Sequence, residues 1–268
     1  MTIEEAPMNQ DERCLWLIKA LLKDMPEYAD TPIPTLRMKQ WPLLRGLMNV
    51  RPPLPVSADF LRVQDAYLRQ MTAEKGVVAL DTLRPCALDP RMHLWQGDIT
   101  TLGCDAIVNA ANSQLLGCFA PGHSCIDNII HTMAGVQLRL ACNELMEVQG
   151  HPEPTGQAKI TPGYNLPAKY VTHTVGPIVD VPLMAEHERL LASCYRKCLE
   201  LAEQKGCESI AFCCISTGVF MFPNQRAAEI AVDTVRKYYA ETGSRIKTVF
   251  NVFKDIDLKI YDVILNLS

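Results

Sequence analysis

Apolar positions in the first part of the chain fall at helical spacing. Leu15, Ile18, Leu22 and Met25 recur through "CLWLIKALLKDM", and Pro26 follows, so the pattern predicts a helix that stops there. The next stretch, "TPIPTLRMKQWPLLRGLMNVRPPLPV", is punctuated by proline and predicts short helical turns and extended pieces. "SADFLRVQDAYLRQMTAEKG" then reads as a helix capped by Ser57 and closed by Gly76. No chemistry stands out here. Residues 1–75 are expected to form a helical extension packed on the rest of the protein.

From residue 77 the pattern alternates. Short apolar runs predict strands in "VVALDTL", "RMHLWQ", "DAIVNA", "GQAKITP", "KYVTHTV", "SIAFCCIS" and "IKTVFNVF". Amphipathic stretches predict helices in "CIDNIIHTMAGVQLRLACNELMEVQ", "AEHERLLASCYRKCLELAEQKG", "NQRAAEIAVDTVRKYYAETG" and the C-terminal "DLKIYDVILN". Near-continuous apolar strands interleaved with such helices imply a sheet covered on both faces. Residues 76–268 are therefore expected to form a three-layer α/β/α domain, with no internal repeat.

Composition narrows the class. At 268 residues the chain can build one sizeable core, or one domain plus an appendage, and 48% hydrophobic with 21% charged residues is ordinary globular composition. A net charge of −4 argues against a nucleic-acid-binding surface, which concentrates basic charge. No apolar run is long enough for a membrane span, and the acidic start "MTIEEAPMNQDER" lacks a signal-peptide layout. A cytoplasmic monomer is expected. The eleven cysteines, several inside apolar runs, read as buried small hydrophobes rather than a disulfide framework.

Candidate chemistry collects where strands end, which is where open α/β sheets bind ligands. "GDIT" follows one strand, and Asp98 there can accept a hydrogen bond from an exocyclic amine. "NAANS" ends the next and offers two amides beside small residues. "STGVFMFP" leads from a late strand into a helix, where Ser216, Thr217, Gly218 and the backbone N–H groups that follow can cradle a diphosphate. Each of these alone reads first as turn chemistry. The loop "GCFAPGHSCIDN" adds Cys118, His123 and Cys125, two thiols and an imidazole at metal-ligand spacing. Thiolate, imidazole and thiolate are good zinc donors, and Pro121 and Gly122 can turn the chain so that they converge. Three donors leave a position open, as in catalytic zinc sites. A closed structural site with a fourth ligand from elsewhere, or a loop of unmetallated thiols, remains the alternative. His131 and His173 are expected to be ordinary hydrogen-bonded histidines of the fold.

Taken in order, "GDIT", "DAIVNAAN", "IDNIIHTMAG", "GQAKITPGYNLPAKYVTHTVGP" and "ISTGVFMFP" resemble the macrodomain family of ADP-ribose-binding and ADP-ribose-hydrolysing proteins, over roughly residues 77–268. The resemblance implies ADP-ribose lying across the carboxyl edge of a mixed sheet. It places Asp98 on the adenine amino group with Ile99 beside it, and Asn112 on the distal ribose. Ser216, Thr217, Gly218, Val219 and Phe220 would wrap the diphosphate, with Phe253 a candidate for packing on adenine. Asp127 matches the family's catalytic aspartate, preceded by Cys125 and Ile126 at the ribose. In place of the usual glycines stands Cys118-x4-His123-x-Cys125, which resembles a zinc-containing microbial subclass that also carries an N-terminal helical extension. That subclass implies zinc-dependent removal of mono-ADP-ribose from protein, with Asp127 and Asn112 as catalytic residues. It is associated with a sirtuin-type ADP-ribosyltransferase and a lipoylated, glycine-cleavage-H-like carrier protein. An ester to an acidic side chain is the expected linkage, cut at either the anomeric or the acyl carbon. The alternatives are a non-catalytic ADP-ribose reader with a structural zinc, an O-acyl-ADP-ribose deacylase, and Cys125 as a nucleophile.

Overall fold

A computed structural model of the chain describes residues 8–180 and 182–267. The first seven residues of the expected extension, and the last of the chain, lie outside the described residues.

Helix α1 (Gln10–Asp24) starts at Asn9, whose side chain accepts from the Glu12 amide while the Glu12 carboxylate accepts from the Asn9 amide. Helix α2 (Gln40–Val50) follows two short 3-10 turns, and helix α3 (Ala58–Lys75) is capped by Ser57, which accepts from the Phe60 amide. The proline-rich stretch is thus more regular than its sequence predicts. Pro42 falls in the first turn of α2, where no backbone N–H has an intrahelical acceptor, so the ring breaks no bond. Leu17, Ile18 and Leu21 of α1, Leu44 and Leu47 of α2, and Phe60, Val63 and Leu68 of α3 close into one apolar core.

The strands that follow are β1 (Val78–Ala79), β2 (Met92–Gln96), β3 (Leu102–Gly103), β4 (Ala106–Ala111), β5 (Ala158–Pro162), β6 (Tyr170–Val175), β7 (Ser209–Phe212) and β8 (Lys247–Val252). Six of them form a sheet in the order β2-β8-β7-β4-β6-β5, parallel except for the antiparallel edge strand β5. Helices α4 (Ile126–Ala134), α5 (Val136–Gln149), α6 (Ala185–Gln204), α7 (Asn224–Thr242) and α8 (Asp255–Asp262) cover both faces, giving the expected three-layer α/β/α arrangement. The central strands are buried along nearly their whole length, in keeping with burial on both faces.

Three predicted elements differ. "VVALDTL" is strand only at Val78 and Ala79, because its partner β3 is two residues long. Leu80–Thr82 then turn as a 3-10 segment. "SIAFCCIS" stops at Phe212, where its pairing with β8 ends, and Cys213 and Cys214 begin a loop. The single helix expected over 125–149 breaks at Gly135, whose φ of 97° and ψ of 173° admit essentially only glycine. All eleven cysteines are free thiols.

Candidate active site

The sheet order decides which strand ends stand side by side. Running from the edge inward, β2 ends at Gly97 and Asp98, β8 at Phe253, β7 at the loop 213–221, and β4 at Asn112. With neighbouring strands about 4.8 Å apart, the span from β2 to β4 is about 14 Å, the scale of an extended nucleotide-sugar diphosphate. Residues scattered over more than 150 positions of sequence therefore line one edge.

At the β2 end, Asp98 caps the 3-10 turn Ile99–Thr101. Its Oδ1 accepts from the Thr100 amide (3.0 Å) and hydroxyl (2.6 Å), and its Oδ2 pairs with Lys75 Nζ of α3 at 3.2 Å. Ile99 is buried beside it. Asn251 of β8 donates to the Gly97 carbonyl at 3.0 Å and so ties this turn to the sheet. Phe253 stands 77% exposed at the end of β8, a large free ring at the same corner.

The β7 loop is held in an unusual backbone. Ser216 has a φ of 65° and Met221 of 55°, and the loop closes on itself through Phe222 N–H to Ser216 carbonyl (3.0 Å) and Met221 N–H to Gly218 carbonyl (3.1 Å). Within the described residues no backbone acceptor takes up the N–H groups of Gly218, Val219 or Phe220. Neighbouring donors without protein acceptors suit an anion. The Ser216 side chain does not join them. It is buried against Gly176, where any Cβ would lie 2.0 Å from its Oγ, so Ser216 offers the loop its backbone rather than its hydroxyl. Thr217 likewise spends its hydroxyl on the Cys214 carbonyl at 3.0 Å.

The β4 end gathers the most polar side chains. Asn112 follows the strand, and its Nδ2 lies 3.4 Å from Asp127 Oδ2 and 3.3 Å from the Gly117 carbonyl. Asp127 sits in the first turn of α4, where the positive end of the helix favours a carboxylate. It is buried, and burial pushes its carboxyl up to about 6, against the opposing pull of the Asn109 amide and the Arg139 charge. Asn109 Nδ2 donates to Asp127 Oδ1 at 2.8 Å and approaches His173 Nδ1 at 3.2 Å. Behind this carboxylate, His173 Nε2 lies 2.9 Å from the Thr161 hydroxyl, and burial depresses its basicity to about 3, so the ring is neutral. Among the described residues His131, expected to be hydrogen-bonded, has no hydrogen-bond partner at either ring nitrogen. Its Nε2 is 3.5 Å from Asp127 Oδ1, and burial holds its pKa well below the usual range.

Cys118, His123 and Cys125 converge. Their ligand atoms all lie within 4.8 Å of one another, with Cys118 Sγ and His123 Nδ1 at 3.7 Å. Tetrahedral zinc with the usual bond lengths sets sulfur and nitrogen about 3.6 Å apart, so the donor set and its spacing fit that ion. Cys125 is also the N-cap of α4, its Sγ accepting from the Asn128 amide at 3.4 Å, and burial pushes its thiol up. Two residues on, Asp127 is thereby fixed relative to the loop 118–125, with Ile126 between them. A second cluster, His131, Cys142 and His173, also brings its ligand atoms within 4.8 Å but is wholly buried.

Comparisons with known proteins give the family. The family model for the Macro domain matches residues 108–231, and a "Protein-ADP-ribose hydrolase" of Treponema medium is 52% identical over 97% of this chain and 100% of its own length. The chain belongs to the macrodomain family. Among solved structures, an Oceanobacillus iheyensis macrodomain with ADP is 40% identical over 63% of this chain and 87% of its own, with a TM-score of 0.58. A Trypanosoma brucei macrodomain in complex with ADP-ribose is 29% identical over 98% of this chain and 93% of its own, with a TM-score of 0.62.

Asn109 belongs to the "NAANS" motif, but its hold on Asp127 is set by a long-range contact. Other residues around the site gave no sequence signal, among them Asn251, which anchors the Asp98 turn through the Gly97 carbonyl. Arg139 of α5 donates to the Leu116 carbonyl at 2.6 Å and lies 4.2 Å from the centre of the Phe119 ring, bracing the approach to the metal-ligand loop. Arg45 and Asn49 of α2 reach the same loop. Their partners are distant in sequence, so no local spacing marks them.

Proposed function

We propose that the protein is a zinc-dependent hydrolase that removes mono-ADP-ribose from modified protein side chains, with an ester to Asp or Glu as the linkage. The observation that carries this reading is the meeting of Asn112 and Asp127 at the β4 end, beside the converged Cys118, His123 and Cys125. The hydrolase name of the Treponema relative supports it.

In this reading Asp98 accepts from the adenine amino group, its carboxylate already oriented by Thr100, with Ile99 as the buried floor and Phe253 closing over the ring. The N–H groups of Gly218, Val219 and Phe220, with the turn at Ser216 and Thr217 that presents them, take the diphosphate. The distal ribose then reaches Asn112, whose amide holds it in register, while Cys125 and Ile126 line the approach to Asp127. Asp127 orients the attacking water and accepts its proton through Oδ2, the oxygen not engaged by Asn109. Cys118, His123 and Cys125 would hold the zinc, which supplies Lewis-acid polarisation of a substrate or water oxygen when bound. Binding energy from the adenine and diphosphate ends fixes the reacting bond against Asp127.

The test is release of ADP-ribose from a protein mono-ADP-ribosylated on acidic residues, using native, chelated and zinc-restored protein with folding followed in each. Release should vanish on chelation and return with zinc while the fold persists. ADP-ribose binding without release by the native protein would replace this reading with a reader of the modification. Loss of the fold on chelation would make the zinc structural.

A further inference from the structure

The metal-ligand loop is not held by its own domain alone. Arg45 and Asn49 lie one turn apart on the same face of α2, and both contact it. Arg45 Nη2 donates to the His123 carbonyl at 2.7 Å and to Asn128 Oδ1 at 2.7 Å, with Nε on the same oxygen at 3.2 Å. Asn128, so oriented, turns its amide nitrogen onto the carbonyls of Ala120 (2.9 Å) and Cys118 (3.3 Å). Asn49 Oδ1 accepts from the Gly122 amide at 2.9 Å, and its Nδ2 donates to Thr132 of α4 at 2.9 Å. Backbone groups at Cys118, Ala120, Gly122 and His123 are thus pinned, directly or through Asn128, by two residues of one helix. The packing of α2 is served by other residues, Leu44, Leu47 and Met48, on its apolar face.

A loop of irregular backbone that must present three donors at fixed separation loses conformational freedom when it captures an ion. Bonds that order it beforehand remove that cost from binding. We propose that Arg45 and Asn49 are positioning residues for the metal-ligand loop, so that α2 sets the spacing of Cys118, His123 and Cys125 before the ion arrives. The inference rests on the zinc reading above. It also gives the N-terminal helices a part in the site.

The experiment uses the full-length protein as native, Arg45→Met, Arg45→Lys and, as a control on the exposed face of α3, Arg62→Met. Each is loaded with zinc and titrated with a chromophoric chelator to give a zinc affinity. Loss of an outer partner of a metal site weakens metal binding by about 10- to 100-fold, and Arg45→Met should fall in that range. Arg45→Lys, which keeps a donor for the His123 carbonyl, should recover part of it, and Arg62→Met should match the native protein. Thermal midpoints of the chelated proteins separate loop positioning from general damage, and those of native and Arg45→Met should coincide within a few degrees. Equal zinc affinity in native protein and Arg45→Met would overturn this inference while leaving the zinc reading intact. A native protein that takes up no zinc would overturn the zinc reading and this inference with it.

Discussion

Asp127 is defined by its neighbours more than by its own chemistry. A carboxylate 5% exposed is costly unless its oxygens are engaged, and here Asn109 takes one while the other faces Asn112. Asn109 is therefore expected to matter although it stands behind the site. Asn109→Ala should free Asp127 Oδ1 and let the carboxylate turn away. Since misplacing a reacting group by about 1 Å can cost about 100-fold, we expect a kcat loss of that order with KM little changed, measured on the mono-ADP-ribosylated protein substrate. A rise in KM with kcat unchanged would instead assign Asn109 to substrate binding.

At the scale of elements, the break between α4 and α5 shows why periodicity alone misjudges a helix. The apolar spacing runs through 125–149, but the helix breaks at Gly135, where a Cβ would lie 2.5 Å from Gln137 Oε1 and 2.6 Å from Gln64 Nε2. Gly135→Ala should destabilise the fold by about 1–3 kcal/mol from backbone strain alone, seen as a lower denaturation midpoint. The start of β2 carries a different device. Arg91 grips Asp89 through both carboxylate oxygens, donates to the Ser244 carbonyl at 2.8 Å and lies 3.9 Å from the centre of the Tyr239 ring. The Arg91 guanidinium holds the Asp89 carboxyl below the usual carboxylate range. A carboxyl depressed in the folded state contributes stability above its unfolded pKa of about 3.9, and that contribution is lost as pH falls through the folded value. Asp89→Asn should accordingly lower the thermal midpoint at neutral pH, and the gap from the native protein should close below about pH 4.

For the molecule as a whole, the decisive contact is between the N-terminal helices and the helices under the sheet edge. Gln64 of α3 accepts from the Val136 amide at the start of α5 (3.0 Å) and donates to Gln137 (2.7 Å), while Asp65 accepts from Gln137 and Asn165, both at 2.8 Å. Gln64→Leu would bury the Val136 amide without a partner, at a cost of about 1–3 kcal/mol. The urea midpoint should fall with an unchanged slope; a changed slope would mean that the two parts have come to unfold separately. Much of this architecture was legible beforehand. Apolar runs such as "AIV" in β4 and "IAF" in β7 identify buried strands because solvent exclusion on both faces favours apolar side chains. The motifs at "GDIT", "NAAN" and "STGVF" were readable because a chain that must turn at a strand end has few residues with which to do so. The convergence of Cys118, His123 and Cys125 was foreshadowed by spacing, since eight residues cannot carry their donors far apart when Pro121 and Gly122 reverse the chain. What the linear pattern did not hold was anything set by long-range contact. Asn109 against Asp127, Asn251 against Gly97, the inward turn of the Ser216 hydroxyl and the reach of Arg45 across 78 residues to His123 all depend on which elements pack together. Local propensity and solvent preference act between near neighbours and so can be read along the chain. Hydrogen bonds between distant segments exist only after the core has brought those segments together, and tertiary structure alone decides them.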